Sequence, residues 1–226
     1  MNICIINTFI FKQMIKNLLF DQGGVIVDLD RERCLRSLAA LGMREPEQMI
    51  GLYVQSGPFE QLESGKIGAA GFHAAMRPLL PAGVSDEQID EALNSFIVGI
   101  PEHRLRCLER LRHELHYNTY ILSNTNPIMF EGILKREFEK LGHSLDHYFD
   151  GVVTSYEAKS CKPDREIFDY AIRKLKIRPE ETLFFDDGQA NLDAAERLGF
   201  RTALVPPGTD MVEVVSGTVV AGGTNE

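Results

Sequence analysis

The apolar run Leu18-Leu19-Phe20 stops at a carboxylate, Asp21, and Gln22-Gly23-Gly24-Val25 follows at once. Such a run predicts a buried strand over 17–21 that ends in a tight loop, where backbone can approach a ligand closely. Further apolar runs over 119–124, 151–155, 182–187 and 201–205 read as strands of the same kind. Helical patterns over 102–115, 127–141, 164–176 and 189–199 separate them. Strands alternating with helices build a parallel sheet covered on both faces. The predicted fold class is therefore α/β, a Rossmann-like parallel sheet of these five strands. An open sheet of this kind takes its ligands at the carboxyl ends of the strands, where Asp21 sits.

The gap between the first and second runs is too long for one crossover. Residues 30–100 carry helical patterns over 31–42, 46–56, 58–63, 68–77 and 85–97, punctuated by Ser64-Gly65-Lys66, Pro81-Ala82-Gly83 and Pro101. This predicts a small α-helical bundle inserted after the first strand as a cap domain over the active edge. Residues 14–29 and 101–208 then form the core domain, 1–13 an N-terminal extension upstream of Met14, and 209–226 a frayed, Gly- and Ser-rich tail.

The chain has 226 residues and a net charge of -9, which argues against a nucleic-acid or anionic-membrane footprint. A local basic site for a small phosphorylated substrate is still compatible with that charge. Cys4, Cys34, Cys107 and Cys161 form no CxxC pair, so a zinc site or disulfide framework is not expected. Scattered, reduced, packed thiols suit a cytoplasmic protein. The apolar N-terminus lacks a basic n-region and a small-residue cleavage site, and no stretch is long enough to span a bilayer. A monomer or weak dimer without nucleic-acid or membrane partners is expected.

Four strand ends carry groups suited to phosphoryl transfer. Asp21 can attack phosphorus if a metal neutralises the phosphate. Ser123-Asn124-Thr125-Asn126 offers a hydroxyl and loop amides for phosphate oxygens. Lys162-Pro163 places an ammonium where it can pair with both nucleophile and phosphate. Asp186-Asp187, with Asn191 beyond, supplies hard oxygens that suit magnesium. Taken singly, each has an ordinary reading: a turn former, a common loop, a chance dipeptide, a solvated turn. Their order, all at strand ends, is what singles them out.

The segments FDQGGVIVD at 20–28, ILSNTN at 121–126, CKPDREIF at 161–168 and FFDDGQANLDAAERLGF at 184–200 resemble the four motifs of the haloacid dehalogenase (HAD) superfamily. The resemblance spans roughly residues 15–206 and points to the subfamily with a helical cap after the first core strand. The first motif is most like that of the Asp-x-Gly bacterial sugar-phosphate phosphatases of the glucose-1-phosphate type. The resemblance implies Asp21 as nucleophile and magnesium ligand, the Gly23 carbonyl as a second ligand, and Asp187 as a third, with Asp186 in direct or water-mediated support. It implies Ser123, Lys162 and the Asn124 backbone amide as phosphate binders, with Lys162 also catalytic, and Asn191 behind the metal.

One position departs from the family pattern. Most phosphatases of the superfamily carry a general acid two residues after the nucleophile, and this chain has Gly23 there. General acid–base help is worth ~10²–10⁴-fold. Asp28, Asp30, Glu60 and Glu63 are the candidate replacements, each with an ordinary reading as a solvated carboxylate. The implied activity is a magnesium-dependent phosphomonoesterase of a small metabolite such as a sugar phosphate, through an aspartyl-phosphate. The alternatives are a weakened module that binds a phosphorylated ligand, supported by Gly23, and a dehalogenase, which would have no use for the metal site. Phe59, Phe72 and Met76 are expected in the cap's core. His103, His113, His116, His143 and His147 read as surface histidines with no convergent acidic partner.

Overall fold

All four residues of Asn17–Phe20 (β1) are buried, because this strand is flanked by neighbours on both edges and covered on both faces. The computed structural model describes residues 15–51 and 54–220. The expected N-terminal extension 1–13 lies outside the described residues. Two short strands follow β1, Asp28–Leu29 (β2) and Ile97–Gly99 (β3). The remaining sheet strands are Asn118–Ser123 (β4), Gly151–Thr154 (β5), Thr182–Asp186 (β6) and Arg201–Leu204 (β7). The main sheet has the order β5-β4-β1-β6-β7, and every pairing in it is parallel. After β1 the chain builds outward through β4 and β5, then returns to the other side of β1 for β6 and β7. The carboxyl end of β1 is thus a topological switch point, where the connections diverge and leave a crevice.

Side chains alternate across the sheet. Leu18 and Phe20 face one layer, which includes Leu105, Leu108 and Leu111 of the helix Glu102–His113. Phe20 stacks on Phe185 of β6, ring centroids 4.9 Å apart. Leu19 faces the opposite layer, with Ile167, Phe168 and Ala171 of the helix Arg165–Leu175. The five predicted strands end within one residue of their observed ends.

Residues 28–29 and 97–99 pair as an antiparallel two-stranded ribbon, through which the chain leaves and re-enters the sheet domain. Between them lie the helices Arg31–Ala40, Gly57–Glu63, Ala69–Met76 and Asp86–Asn94. Asp30 caps the first, its side chain accepting from the Arg33 amide, and Ser85 with Gln88 forms a capping box on the last. Phe59, Phe72 and Met76 are buried in the apolar centre of this bundle. Ile128, from the sheet domain, is buried in the same cluster, so the two parts share apolar contact.

Three expectations need correction. The helix expected over 46–56 is only a short turn at Pro46–Gln48, after which Ile50 bridges back to Gln55. Gly51 and the Gly57-Pro58 pair break the helical pattern there. The helix expected over 85–97 stops at Asn94, because Ile97 is drawn into the ribbon. The tail is not frayed over 209–219: Met211, Val215 and Val219, spaced at four residues, are buried against the sheet domain's core.

Candidate active site

A cavity of about 740 Å³ opens at the carboxyl end of β1, walled by the sheet domain on one side and the helical insertion on the other. Asp21, Ser123, Asn124, Lys162 and Asp187 all line it. The structure therefore brings together the side chains that the four motifs singled out, from loops up to 166 residues apart in sequence.

Lys162 is the hub. Its Nζ lies 2.7 Å from Asp21 Oδ1 and 2.7 Å from Asp186 Oδ2, with only 1% of its side chain exposed. Burial opposes its charge, but Asp186 and Asp21 more than offset this and hold its pKa above the ordinary lysine value. The ammonium also sits 5.4 Å from the centre of the Phe184 ring. Asn124 fixes the backbone at this point: its Nδ2 donates to the Lys162 carbonyl at 2.9 Å, and its Oδ1 accepts from the Lys162 amide at 2.8 Å. The side chain of Asn124 is thus committed to positioning the lysine.

Asp186 has no exposed surface, and both its oxygens are engaged. Oδ1 accepts from the Gly188 amide at 2.8 Å and from Asn191 Nδ2 at 2.9 Å, while Oδ2 faces Lys162. Of its two expected roles, direct ligand or support, these contacts fit support, since they hold Asp186 against Lys162, Gly188 and Asn191. Asn191 acts one step further out by holding Asp186.

Three carboxylates, Asp21, Asp186 and Asp187, place oxygens within 4.8 Å of one another. Lys162 is their nearest cation. Burial pushes Asp21 up to about 7, against the pull of Lys162. Burial and the neighbouring Asp186 push Asp187 up to about 6. Three carboxylates around one lysine leave negative charge that the lysine does not cancel. An all-oxygen set with surplus negative charge fits a small hard dication such as magnesium. The turn beyond Asp21 is closed by hydrogen bonds from Ile26 and Val27 to the Gln22 carbonyl and from Gly24 to the Val27 carbonyl. None of these uses the Gly23 carbonyl, the backbone ligand expected from the motif.

The two adjacent glycines differ. Gly24 has φ +76, and a Cβ there would lie 2.5 Å from Asp187 Oδ2. Only glycine lets this backbone pass the acid. Gly23 has ordinary backbone geometry, and a Cβ there would meet the end of the Leu29 side chain at 2.9 Å. Leu29, at the ribbon, thus stands beside the position where the family's acid would project.

Ser123 donates to Gln22 Oε1 at 3.2 Å, and Gln22 Nε2 has no partner among the described residues. This leaves a buried amide donor beside Asp21, which the sequence reading did not single out. Its only signal was adjacency to the nucleophile candidate.

The four candidate replacement acids separate clearly. Asp28 also lines the cavity but is paired with Arg104 at 2.8 Å. Asp30 caps the helix Arg31–Ala40. Glu60 is paired with Lys66 at 2.7 Å. Glu63 forms no ion pair among the described residues and lines the cavity. The histidines need two corrections: His143, His147 and Glu109 converge, their ligand atoms within 4.8 Å of one another, and His103 Nε2 lies 2.8 Å from Asp210 Oδ2. The expectation of no acidic partner failed because these acids come from elements distant in sequence. Cys34, Cys107 and Cys161 are free thiols, as expected; Cys4 lies outside the described residues.

The haloacid dehalogenase-like hydrolase family model matches residues 15–199, and the chain belongs to that family. It is 36% identical over 197 residues to a D-ribitol-5-phosphate phosphatase of Bacteroides thetaiotaomicron, covering 87% of this chain and 95% of that protein. A crystal structure of a HAD-family enzyme from the same organism, in complex with magnesium and inorganic phosphate, superposes with a TM-score of 0.82. That pair shares 39% identity over 87% of this chain and 96% of the other. A HAD-like family hydrolase of Porphyromonas gingivalis also gives a TM-score of 0.82, at 34% identity over 90% of this chain and 97% of the other.

Proposed function

We propose that this chain is a magnesium-dependent phosphomonoesterase of a small sugar phosphate, working through an aspartyl-phosphate on Asp21. The observation that carries this is the placement of Asp21 against Lys162 at 2.7 Å, on the wall of a capped cavity beside Asp187. Support comes from the ribitol-phosphate phosphatase relative, which matches over nearly its whole length, and from the neighbour that holds magnesium and phosphate.

Asp21, the Gly23 carbonyl and Asp187 would hold the magnesium ion, which supplies charge neutralisation to the phosphoryl oxygens. Asp21 attacks phosphorus in line with the leaving oxygen. Lys162 is shared between nucleophile and phosphate, and lowers their repulsion as they approach. Ser123, the Asn124 amide and Gln22 Nε2 offer donors to the phosphate oxygens. Water then cleaves the aspartyl-phosphate and returns the carboxylate. Residues 30–100 act as the cap that excludes bulk water and limits substrate size. The same reading makes the protein a cytoplasmic monomer or weak dimer with no nucleic-acid or membrane partner. No helix among the described residues is long and apolar enough to cross a membrane.

The test is phosphate release from a panel of pentitol, pentose and hexose phosphates with and without magnesium. Turnover that needs magnesium and disappears in Asp21→Asn, with unchanged circular dichroism, is expected. Undiminished turnover in that variant would remove Asp21 as nucleophile. Tight binding of every panel member without phosphate release would favour a ligand-binding module instead.

A further inference from the structure

We infer that Glu63, carried into the cavity by the cap, is the general acid and base that this chain lacks at Gly23; this rests on the phosphomonoesterase reading above. Glu63 ends the helix Gly57–Glu63 and lines the cavity with Asp21 and Lys162. Its backbone carbonyl accepts from Ser155 Oγ at 2.7 Å, and the next loop is tied down by Lys159 Nζ donating to the Gly65 carbonyl at 2.6 Å. Both anchors lie in the segment that leads to Lys162, so the end of the cap helix and the lysine are held by one stretch of chain. One carboxylate oxygen lies 4.0 Å from Cys161 Sγ, the residue before Lys162.

The groups that face Glu63 are Lys162, Asp21 and Cys161 from the sheet domain and Glu60 from its own helix. Burial pushes its carboxyl up to about 7, Lys162 opposing and Asp21 and Glu60 reinforcing. A group with such a value holds and releases a proton readily near neutrality. The other candidate acids are spent on Arg104, a helix cap and Lys66.

In the first half-reaction an Asp21 oxygen forms a bond to phosphorus and the bond from phosphorus to the leaving oxygen breaks. The electron pair stays on that oxygen, which takes the Glu63 proton and departs as an alcohol. In the second, the Glu63 carboxylate removes a proton from water as the water oxygen bonds to phosphorus. The bond from Asp21 to phosphorus breaks, releasing inorganic phosphate, the Asp21 carboxylate and protonated Glu63.

The experiment compares kcat/KM of the magnesium-loaded wild type with Glu63→Gln, Glu63→Asp and Glu60→Gln, on an alkyl phosphate and on p-nitrophenyl phosphate. The alkoxide leaving group needs a proton; p-nitrophenolate does not. Glu63→Gln should lose ~10²–10⁴-fold on the alkyl ester and less than about tenfold on the aryl ester. Glu63→Asp should recover part of the loss, and Glu60→Gln, which removes only the smallest of the charges acting on Glu63, should lose far less than Glu63→Gln on the alkyl ester. Equal losses on both esters, or no loss, with wild type active, would overturn the role of Glu63 alone. A wild type that hydrolyses neither ester would overturn the phosphatase reading and this role with it.

Discussion

The sheet domain and the cap present carboxylates to the same cavity with different partners. On the sheet side, Asp21 and Asp186 share one buried ammonium at 2.7 Å each, and Asp187 adds a third negative group beside them. On the cap side, Glu60 and Glu63 sit nearly one turn apart on one helix. Glu60 meets Lys66 in solvent, which lowers its pKa. Glu63 turns into the cavity and has no cation of its own. Burial raises carboxyls on both sides, Asp21 and Glu63 each to about 7, so the difference lies in their partners: the sheet side pairs its acids with a buried ammonium, and the cap side leaves Glu63 without an ion pair among the described residues.

Breaking the sheet-side network should have the largest effect. Lys162→Met should lower kcat/KM by ~10²–10³-fold. It should also destabilise the fold by about 3–5 kcal/mol near pH 8, since it strands buried charge. Without the lysine, the carboxyl of Asp21, already raised by burial, loses the charge that lowers it. Its neutral form is then favoured further in the fold, so the deficit is smallest at low pH and grows as pH rises. Urea unfolding at pH 5 and pH 8 measures this; an equal deficit at both would mean the charges are not the cause.

The two adjacent glycines sharpen the comparison next. Gly24→Ala forces a side chain against Asp187 at a positive φ, and should weaken magnesium binding by ~10–100-fold. Gly23→Ala displaces only the end of Leu29 and should change it by less than about threefold. Calorimetric titration with magnesium reads both, and equal effects would remove the distinction.

Magnesium should also act with a defined pH dependence. Asp21 and Asp187 are raised to about 7 and about 6, so they favour the metal-free fold while protonated. That contribution is complete below the unfolded carboxyl value and is lost as pH rises through 6 to 7. A dication binds the deprotonated forms. The rise in Tm on adding magnesium should therefore be negligible near pH 5 and reach a plateau by pH 8, worth about 2.7 kcal/mol at a hundredfold excess over Kd. A pH-independent shift would place the ion elsewhere.

The smallest effect belongs to the exposed side of the cap. Glu60→Gln breaks a solvent-facing pair and should cost less than about 1 kcal/mol by chemical denaturation. A larger loss would show that the pair also holds Glu63.

The strand ends were legible because an apolar run that must be buried on both faces stops abruptly at polar residues, and the chemistry sits at that break. Asp21, Ser123 and Asp187 were found this way; Lys162 lies past the end of β5, beyond the helix Ser155–Ala158, and was found from its place in the family motif. The turn at Pro46–Gln48 was misread as part of a longer helix, since apolar spacing alone does not reveal where Gly51 and Gly57 divert the chain. The tail was misread for the opposite reason: its Gly and Ser content hid the spacing of Met211, Val215 and Val219.

By itself the sequence determined the alternation of strands and helices, the inserted helical segment and the identity of the strand-end groups, because each is set by local pattern. Only the tertiary structure decided which carboxylates are spent and which is free. Glu60 and Glu63 are alike in sequence context, and their roles diverge through contacts with Lys66 on one side and with Ser155 and Cys161, more than 90 residues away, on the other. Burial and charge pairing at that range follow from packing, which local pattern does not encode.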